Sequence, residues 1–328
     1  MRLPRHSAVR VTVPARLHLG FLDLEGGLGR RYGSLGITLD GPSTRLYLRP
    51  AAGPSTSGPD CERAQAYLLR LVEDFGLNED LELTIEQAIP AHAGLGSGTQ
   101  LALAVGHAVE RLFALGLSAT ELANRLDRGA RSGIGLGAFT QGGVLLDGGR
   151  GALDEPPPII SRFDFPNDWR IFLIYDHSNL GVHGPAELEA FQALPPFPAE
   201  AAAGLCRLVL MMILPALAER DLGRFGAGIS ELQRVVGDHF APAQGGRFAS
   251  PGVSEVLTWL EAEGTVGIGQ SSWGPTGFAL CSSEQVGLQR LEQALARWPD
   301  TSGLRFDLHR GRNRGAESEV TEAVRAAP

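Results

Sequence analysis

Chemistry is concentrated in the run Ile89-Pro90-Ala91-His92-Ala93-Gly94-Leu95-Gly96-Ser97-Gly98-Thr99-Gln100. Before it, Leu81, Leu83 and Ile85 alternate with Glu82, Thr84 and Glu86, the period of a half-buried strand. After it, Leu101, Val105, Ala108, Leu112 and Leu115 lay one apolar stripe along a helix of about four turns. The glycine run is therefore a strand-to-helix turn that presents unpaired backbone N–H groups at a helix N-terminus. Gly94, Gly96, Ser97, Gly98 and Thr99 are expected to bind a phosphate or diphosphate there without any ammonium group. The plain alternative is an ordinary turn.

Other candidates lie far away along the chain. Arg16 and His18 are two residues apart in an extended segment and should share a face, where a cation beside a His suits a carboxylate or phosphate and His18 could serve as acid or base. The alternative is an edge-strand Arg beside a satisfied His. Gln270-Ser271-Ser272-Trp273 offers hydrogen-bonding groups beside a flat indole face on which an aromatic ligand could stack, although a Trp in a Gly-Pro turn also packs well. Arg131 could grip phosphate bidentately or simply end a helix. Arg312, Asn313 and Arg314 make a further basic patch after the last expected strand. Asp176-His177, with His183 and Glu187, could hold a metal or sugar hydroxyls, and Asp23 is a second acidic candidate. None of these has a recognisable metal-ligand spacing.

The elements that must position these groups follow from pattern and punctuation. Val9–Val13 and Arg45–Arg49 read as strands and 50–59 as a surface loop. Ser118-Ala119-Thr120-Glu121 is a capping box that opens a helix, which Gly133, Gly135 and Gly137 should end. The Gly- and Pro-rich stretch 148–158 is the expected connection between two domains, 1–155 and 156–328. Beyond it, Arg170–Tyr175, Phe278–Cys281 and Leu304–Leu308 read as strands, and 199–222, 226–237 and Val253–Leu260 as helices. That order suggests an α+β domain with a ferredoxin-like layer.

Composition removes several classes of function. All 29 basic residues among the 328 are arginine. Pyridoxal phosphate chemistry, Schiff-base catalysis and the lysine-containing P-loop are thereby excluded. A net charge of −8 provides no basic field for nucleic acid or an anionic membrane. Cys61, Cys206 and Cys281 are isolated, as expected for packing residues in a reducing cytoplasm. No apolar leader precedes Val13, and the most membrane-like stretch, Leu208–Ala218, is short and broken by Pro215, so a buried, kinked helix is expected there.

The run Pro90–Thr99 resembles the Pro-x-x-x-Gly-Leu-Gly-Ser-Ser phosphate loop of the GHMP kinase superfamily, with Gly98 in place of the second Ser. Pro14–Gly20 and Gly267–Gly277 sit where that superfamily has its other motifs. Arg16-Leu17-His18, Gly20, Asp23, Arg131–Gly135, Gly142-Gly143, Asp147–Gly149, Gly269–Pro275 and Asn313–Ala316 together resemble one non-kinase branch, the β-ribofuranosylaminobenzene 5′-phosphate synthases. The resemblance covers nearly the whole chain. It implies a two-domain GHMP-kinase-like fold, with a ribosomal protein S5 domain 2-like first domain and a ferredoxin-like second. It also implies transfer of phosphoribosyl from phosphoribosyl diphosphate to 4-aminobenzoate with loss of CO2 and diphosphate, an early step toward tetrahydromethanopterin. On this reading Arg16, His18 and Asp176 are catalytic. Gly94, Gly96, Ser97, Gly98, Thr99, Arg131, Gln270, Ser271, Ser272, Trp273, Asn313 and Arg314 bind substrate, and Mg²⁺ accompanies the diphosphate. Small molecules are the expected partners, and a homodimer is a further expectation. The superfamily's kinases commonly carry an Asp base in the middle motif, whereas 131–137 contains no carboxylate. An ATP-dependent small-molecule kinase is therefore the alternative, and a noncatalytic sensor a third.

Overall fold

The computed structural model describes residues 6–77, 80–152, 155–178, 194–299 and 302–322. Two sheets and their helices make the fold. The first sheet is built on two long strands, β1 (His6–Asp23) and β2 (Tyr32–Pro50), followed by β3 (Ser55–Ser57), α1 (Cys61–Phe75), β4 (Leu81–Gln87), α2 (Ser97–Phe113), α3 (Ala119–Arg125), α4 (Ile134–Thr140), β5 (Val144–Asp147) and β6 (Ile159–Phe163). The second comprises β7 (Arg170–Asp176), β8 (Val266–Gln270), β9 (Gly277–Cys281) and β10 (Leu304–His309). Between β7 and β8 run α5 (Ala199–Leu208), a π-helical segment (Val209–Ile213), α6 (Leu214–Ala218), α7 (Leu222–Gln244) and α8 (Pro251–Ala262). α9 (Glu284–Arg297) precedes β10, and β11 (Glu317–Glu322) ends the described chain.

The second sheet is antiparallel in the order β10-β7-β9-β8. Counted within this layer the order is fourth, first, third, second, the ferredoxin-like arrangement. The uninterrupted apolar run of β7 has a direct cause, because both of its faces are covered. Ile171, Leu173 and Tyr175 enter the core shared with β1 and α7, while Phe172 and Ile174 pack against α8 and α9.

The first sheet runs β11-β1-β2-β4-β3, with β5 paired to β2 and β6 to β5. A division at residue 155 does not follow this sheet. The stretch 148–158 links two of its own strands, with Gly148 N–H donating to the Pro158 carbonyl at 2.9 Å, and β11 returns to pair with β1. The chain crosses to the second sheet at 164–169 instead. The helix expected over 199–222 is present and ends at Ala218. Helical structure is continuous from Ala199 to Ala218, and Leu205, Val209, Ile213 and Leu217 lie in the same core as β1.

One backbone irregularity decides the fate of the N-terminal motif. Val9, Val11 and Val13 face α1 and α2, whereas Ala15, Leu17 and Leu19 face α7, although all six are odd-numbered. The register of β1 on β2 shifts between Pro14 and Arg16. A one-residue shift exchanges the two faces of a strand. Arg16 and His18 are thereby turned to the α2 side, and a second shift between His18 and Gly20 turns Gly20 toward Leu232 of α7.

Candidate active site

The Gly-rich turn is pinned from below and from the side. Ile89, Ala93 and Leu95 are buried in the core beneath it, and Gly94 and Gly96 adopt φ values of 74° and 82°. A Cβ on Gly94 would lie 2.1 Å from the Ser271 carbonyl oxygen, so this close approach requires glycine. Ser271 Oγ donates to the Gly94 carbonyl at 2.7 Å and accepts from His18 N–H at 3.0 Å, and Ser272 N–H donates to the His18 carbonyl at 3.1 Å. Three segments distant in sequence therefore meet: the strand at 16–18, the loop at 94–96 and the turn at 271–272.

Arg16 is the hinge of the cluster. Its N–H donates to the Leu95 carbonyl at 3.1 Å and its Nη1 to the Gly94 carbonyl at 2.5 Å, with its guanidinium beside Gly96. Burial pulls the Arg16 pKa down to about 10, and its Nε is buried without a hydrogen-bond partner among the described residues. His18 is 3% exposed, and neither ring nitrogen has a partner there either. Burial, reinforced by the charges of Arg16 and Arg131, drives its pKa down to about 3, so the imidazole is neutral near pH 7. Thr38, opposite Arg16 on β2, and Gln100 on α2 add further buried oxygens without partners among the described residues. Buried polar groups are normally paired. A concentration of them beside a helix N-terminus marks space for a polar ligand.

The surroundings of α2 are cationic. A Cβ on Gly98 would lie 3.7 Å from Arg63 Nη1 and 3.8 Å from Arg128 Nη1. Arg63 is paired with Asp60, and Arg128 donates to the Tyr67 hydroxyl. Arg131 is held near His18 by the segment that follows it. Asp147 takes five hydrogen bonds, from Ser34 N–H and Oγ, Ser132 Oγ, Gly133 N–H and Gly149 N–H. Burial raises the Asp147 carboxyl even against these donors. The glycines expected to end α3 instead build α4. Gly135 leaves room for Thr99, and Gly137 for Ile159 and Leu145.

Gln270 and Trp273 form the other wall. The Gln270 side chain accepts from Ala249 N–H at 2.6 Å and donates to the Ser272 carbonyl at 2.9 Å, which fixes the turn. Trp273 is buried edge-to-face against Phe240 of α7, with ring centroids 4.6 Å apart. Together with His18, Phe21, Gln233 and Gln244 they line a cleft.

Other expected residues are engaged elsewhere. Asp176 accepts from Ser178 N–H and Oγ and from Ser250 Oγ at 2.6 Å, and Ser250 caps α8. These bonds overcome burial and hold its carboxyl below the usual range, in a structural role. Asn313 is used up in clamping the Phe165 backbone, accepting from its N–H at 2.7 Å and donating to its carbonyl at 2.9 Å. The exposed Arg314 side chain pairs with Glu317 at 2.7 Å. His183 and Glu187 lie outside the described residues. Among the described residues no three His, Cys, Asp or Glu side chains converge as a metal site. The donors around α2 are guanidinium and backbone N–H groups, which suit an anion and do not fit a protein-held Mg²⁺.

The residues to which sequence reasoning gave no role are Arg63 and Arg128, Thr38 and Gln100, Asp147, and the α7 stripe of Gln233, Phe240 and Gln244. Asp147 carried a signal, a carboxylate closing the apolar Val144-Leu145-Leu146 and followed by two glycines. The arginines carried none, because only the packing of α1 and of the segment after α3 brings them to Gly98.

This loop, between a split sheet and a ferredoxin-like layer, is the architecture of the GHMP kinase class. The model of the GHMP kinases N terminal domain matches residues 62–143, and that of the GHMP kinases C terminal domain matches 213–300. Among solved structures, the mevalonate diphosphate decarboxylase of Staphylococcus aureus superposes with a TM-score of 0.66 at 15% identity, over 95% of this chain and 98% of that one. The homoserine kinase of Cytophaga hutchinsonii gives 0.59 at 18%, over 95% and 98%. Within the class the sequence is more specific. The chain is 31% identical to the beta-ribofuranosylphenol 5′-phosphate synthase of Methanothermobacter thermautotrophicus, over 93% of this chain and 97% of that one. It is 32% identical to that of Archaeoglobus fulgidus, over 95% and 100%. The chain belongs to this synthase family of GHMP-type enzymes.

Proposed function

We propose that the protein transfers the phosphoribosyl group of 5-phosphoribosyl 1-diphosphate to 4-aminobenzoate, releasing CO2 and diphosphate and leaving a ribosyl–aryl carbon bond. The name of the two relatives specifies a phenol. 4-Hydroxybenzoate is therefore the acceptor to be tested beside 4-aminobenzoate. The observation that carries the reading is the juxtaposition of Arg16, His18 and the glycine loop with a Trp-walled cleft: an anion site and an aryl site share His18.

The electron balance suits these residues. The bond from the anomeric carbon to diphosphate breaks and its electron pair leaves with diphosphate. Ring electrons of the acceptor attack the anomeric carbon at the ring position that bears the carboxylate. The carbon–carboxylate bond then breaks, its pair restores the aromatic ring, and CO2 departs. No proton is gained or lost at carbon, so the step requires no general base. A neutral His18 and the absence of a carboxylate in 131–137 are both compatible with it. The protein's task is positioning and charge stabilisation. The α2 N-terminus with Arg16, Arg63, Arg128 and Arg131 would neutralise the departing diphosphate. Mg²⁺ is read here only as a companion of the diphosphate oxygens. A net charge of −8 also favours small molecules over nucleic acid or membranes as partners.

The test is turnover with phosphoribosyl diphosphate, Mg²⁺ and either aryl acid, scored by arylated ribose phosphate. Product that requires every component supports the reading, and phosphorylation of an acceptor by ATP replaces it with the kinase alternative.

A further inference from the structure

We infer that Gln244 reads the para-substituent of the aryl acceptor, through a hydrogen bond from that substituent to Gln244 Oε1, in the cleft between β1, α7 and the turn at 271–273. The inference rests on the phosphoribosyl-transfer reading and adds to it an orientation and a specificity residue.

The cleft has two chemically different ends. Gln233, Val236, Gly237, Phe240 and Gln244 follow helical spacing along one stripe of α7 and form its long wall. At the base, Gln233 is buried and fully engaged, accepting from Gln270 N–H at 2.8 Å and donating to the Leu19 and Gln270 carbonyls. His18 stands at the same depth, with its two unpartnered nitrogens beside Arg16. Phe21, Phe240 and Trp273 supply the apolar middle. Gln244 and the exposed Arg247 stand at the mouth. The enclosed space is narrow, about 30 Å³. Seating a ring therefore requires the cleft to widen at its mouth, where the exposed Arg247 pairs with Asp238 at 2.8 Å.

Reaction geometry then fixes the orientation. The ring carbon under attack must face the phosphoribosyl group at the glycine loop, so the carboxylate end lies toward His18 and Arg16. The para-substituent points to the mouth. Gln244 Nε2 is committed to the Arg247 carbonyl at 2.8 Å, and among the described residues its Oε1 receives only a long contact, 3.3 Å, from Gln270 Nε2. That oxygen retains capacity to accept an N–H or O–H. As the ring attacks, positive charge develops on the para nitrogen or oxygen and sharpens its acidity. An acceptor oxygen there stabilises the transition state more than the bound acid.

The experiment compares 4-aminobenzoate with 4-(dimethylamino)benzoate, which donates electrons to the ring but has no N–H, in the parent, Gln244→Leu and Gln244→Glu proteins. The parent should favour 4-aminobenzoate by about tenfold or more in kcat/KM. Gln244→Leu, similar in volume but without the oxygen, should bring the ratio to within about threefold of its value for any N–H-blind site, mainly through kcat. Gln244→Glu, which keeps an acceptor oxygen, should retain the preference. Equal ratios in the parent and Gln244→Leu overturn the inference while the parent's turnover leaves the phosphoribosyl-transfer reading standing. A correctly folded parent that forms no product with any aryl acid overturns both. Circular dichroism and the melting temperature of each variant separate misfolding from chemistry, and Gln244→Glu carries the test if Gln244→Leu is unfolded: loss of the preference in it refutes the assignment.

Discussion

Replacing Gly94 by Ala should disable the site, and a matched control separates the reason from mere backbone strain. Gly94 and Gly116 share a φ of 74°, yet nothing lies within 4 Å of a Cβ on Gly116, whereas one on Gly94 meets the Ser271 carbonyl oxygen at 2.1 Å. Both substitutions incur the left-handed penalty of about 1–2 kcal/mol. Only Gly94→Ala also forces a movement. Ordinary contact begins near 3.4 Å, so loop and turn must separate by about 1.3 Å. That displacement breaks the Ser271 and Arg16 hydrogen bonds to the Gly94 carbonyl. A misplacement of about 1 Å can reduce catalysis about 100-fold. We expect kcat/KM for phosphoribosyl diphosphate to fall by about that factor in Gly94→Ala and by less than twofold in Gly116→Ala, measured by steady-state product formation beside thermal melts. Equal activity losses in the two variants, or full activity in Gly94→Ala, would refute the packing argument.

Further expectations follow from single side chains. Arg16→Gln should raise KM for phosphoribosyl diphosphate by at least about tenfold, since it removes a charged donor facing the loop; kinetics within twofold of the parent would contradict this. Asn313→Ala should lower stability by about 1–2 kcal/mol in urea unfolding and leave kcat/KM unchanged, because its side chain is engaged by the Phe165 backbone. Asp147→Asn turns an amide toward groups that all donate and should cost about 1–3 kcal/mol, read by the same assay. For His18 the folded pKa of about 3 lies below the unfolded value near 6.5. Between these values the unfolded chain binds the extra proton, so this contribution is intact above about pH 6.5 and declines as pH falls toward 3. The parent should lose stability on acidification from pH 7 to pH 5 more than His18→Phe does. A smaller loss in the parent would show that His18 is not buried in neutral form.

Much of this arrangement was legible in the sequence because local patterns and local structure agree. The Ser118 capping box is present as read, with Ser118 Oγ accepting from Glu121 N–H and the Glu121 carboxylate accepting from Ser118 N–H. The alternation before the Gly-rich turn and the stripe after it became β4 and α2. Arg16 and His18 share a face as their spacing required. Which face they share was not legible, since it depends on the register shift after Pro14, set by pairing with β2. The reading of Gly133, Gly135 and Gly137 as terminators failed because Gly133 caps the start of α4 and tertiary packing needs Gly135 and Gly137 inside it. The stretch 148–158, read as the connection between two domains, lies between β5 and β6, which pair in one sheet. Asp176 and Asn313 have the chemistry of site residues, and only coordinates reveal that their hydrogen bonds are already committed to Ser250 and Phe165.

Carboxyl-labelled 4-aminobenzoate reports whether an aryl acid exchanges its carboxylate for phosphoribosyl at this site. Incubated with the protein, phosphoribosyl diphosphate and Mg²⁺, it should release labelled CO2 in equal amount to the arylamine ribose phosphate formed, and neither should appear when any component is omitted. Retention of all label in the aryl acid by the folded protein, with 4-hydroxybenzoate equally inert, would contradict the account.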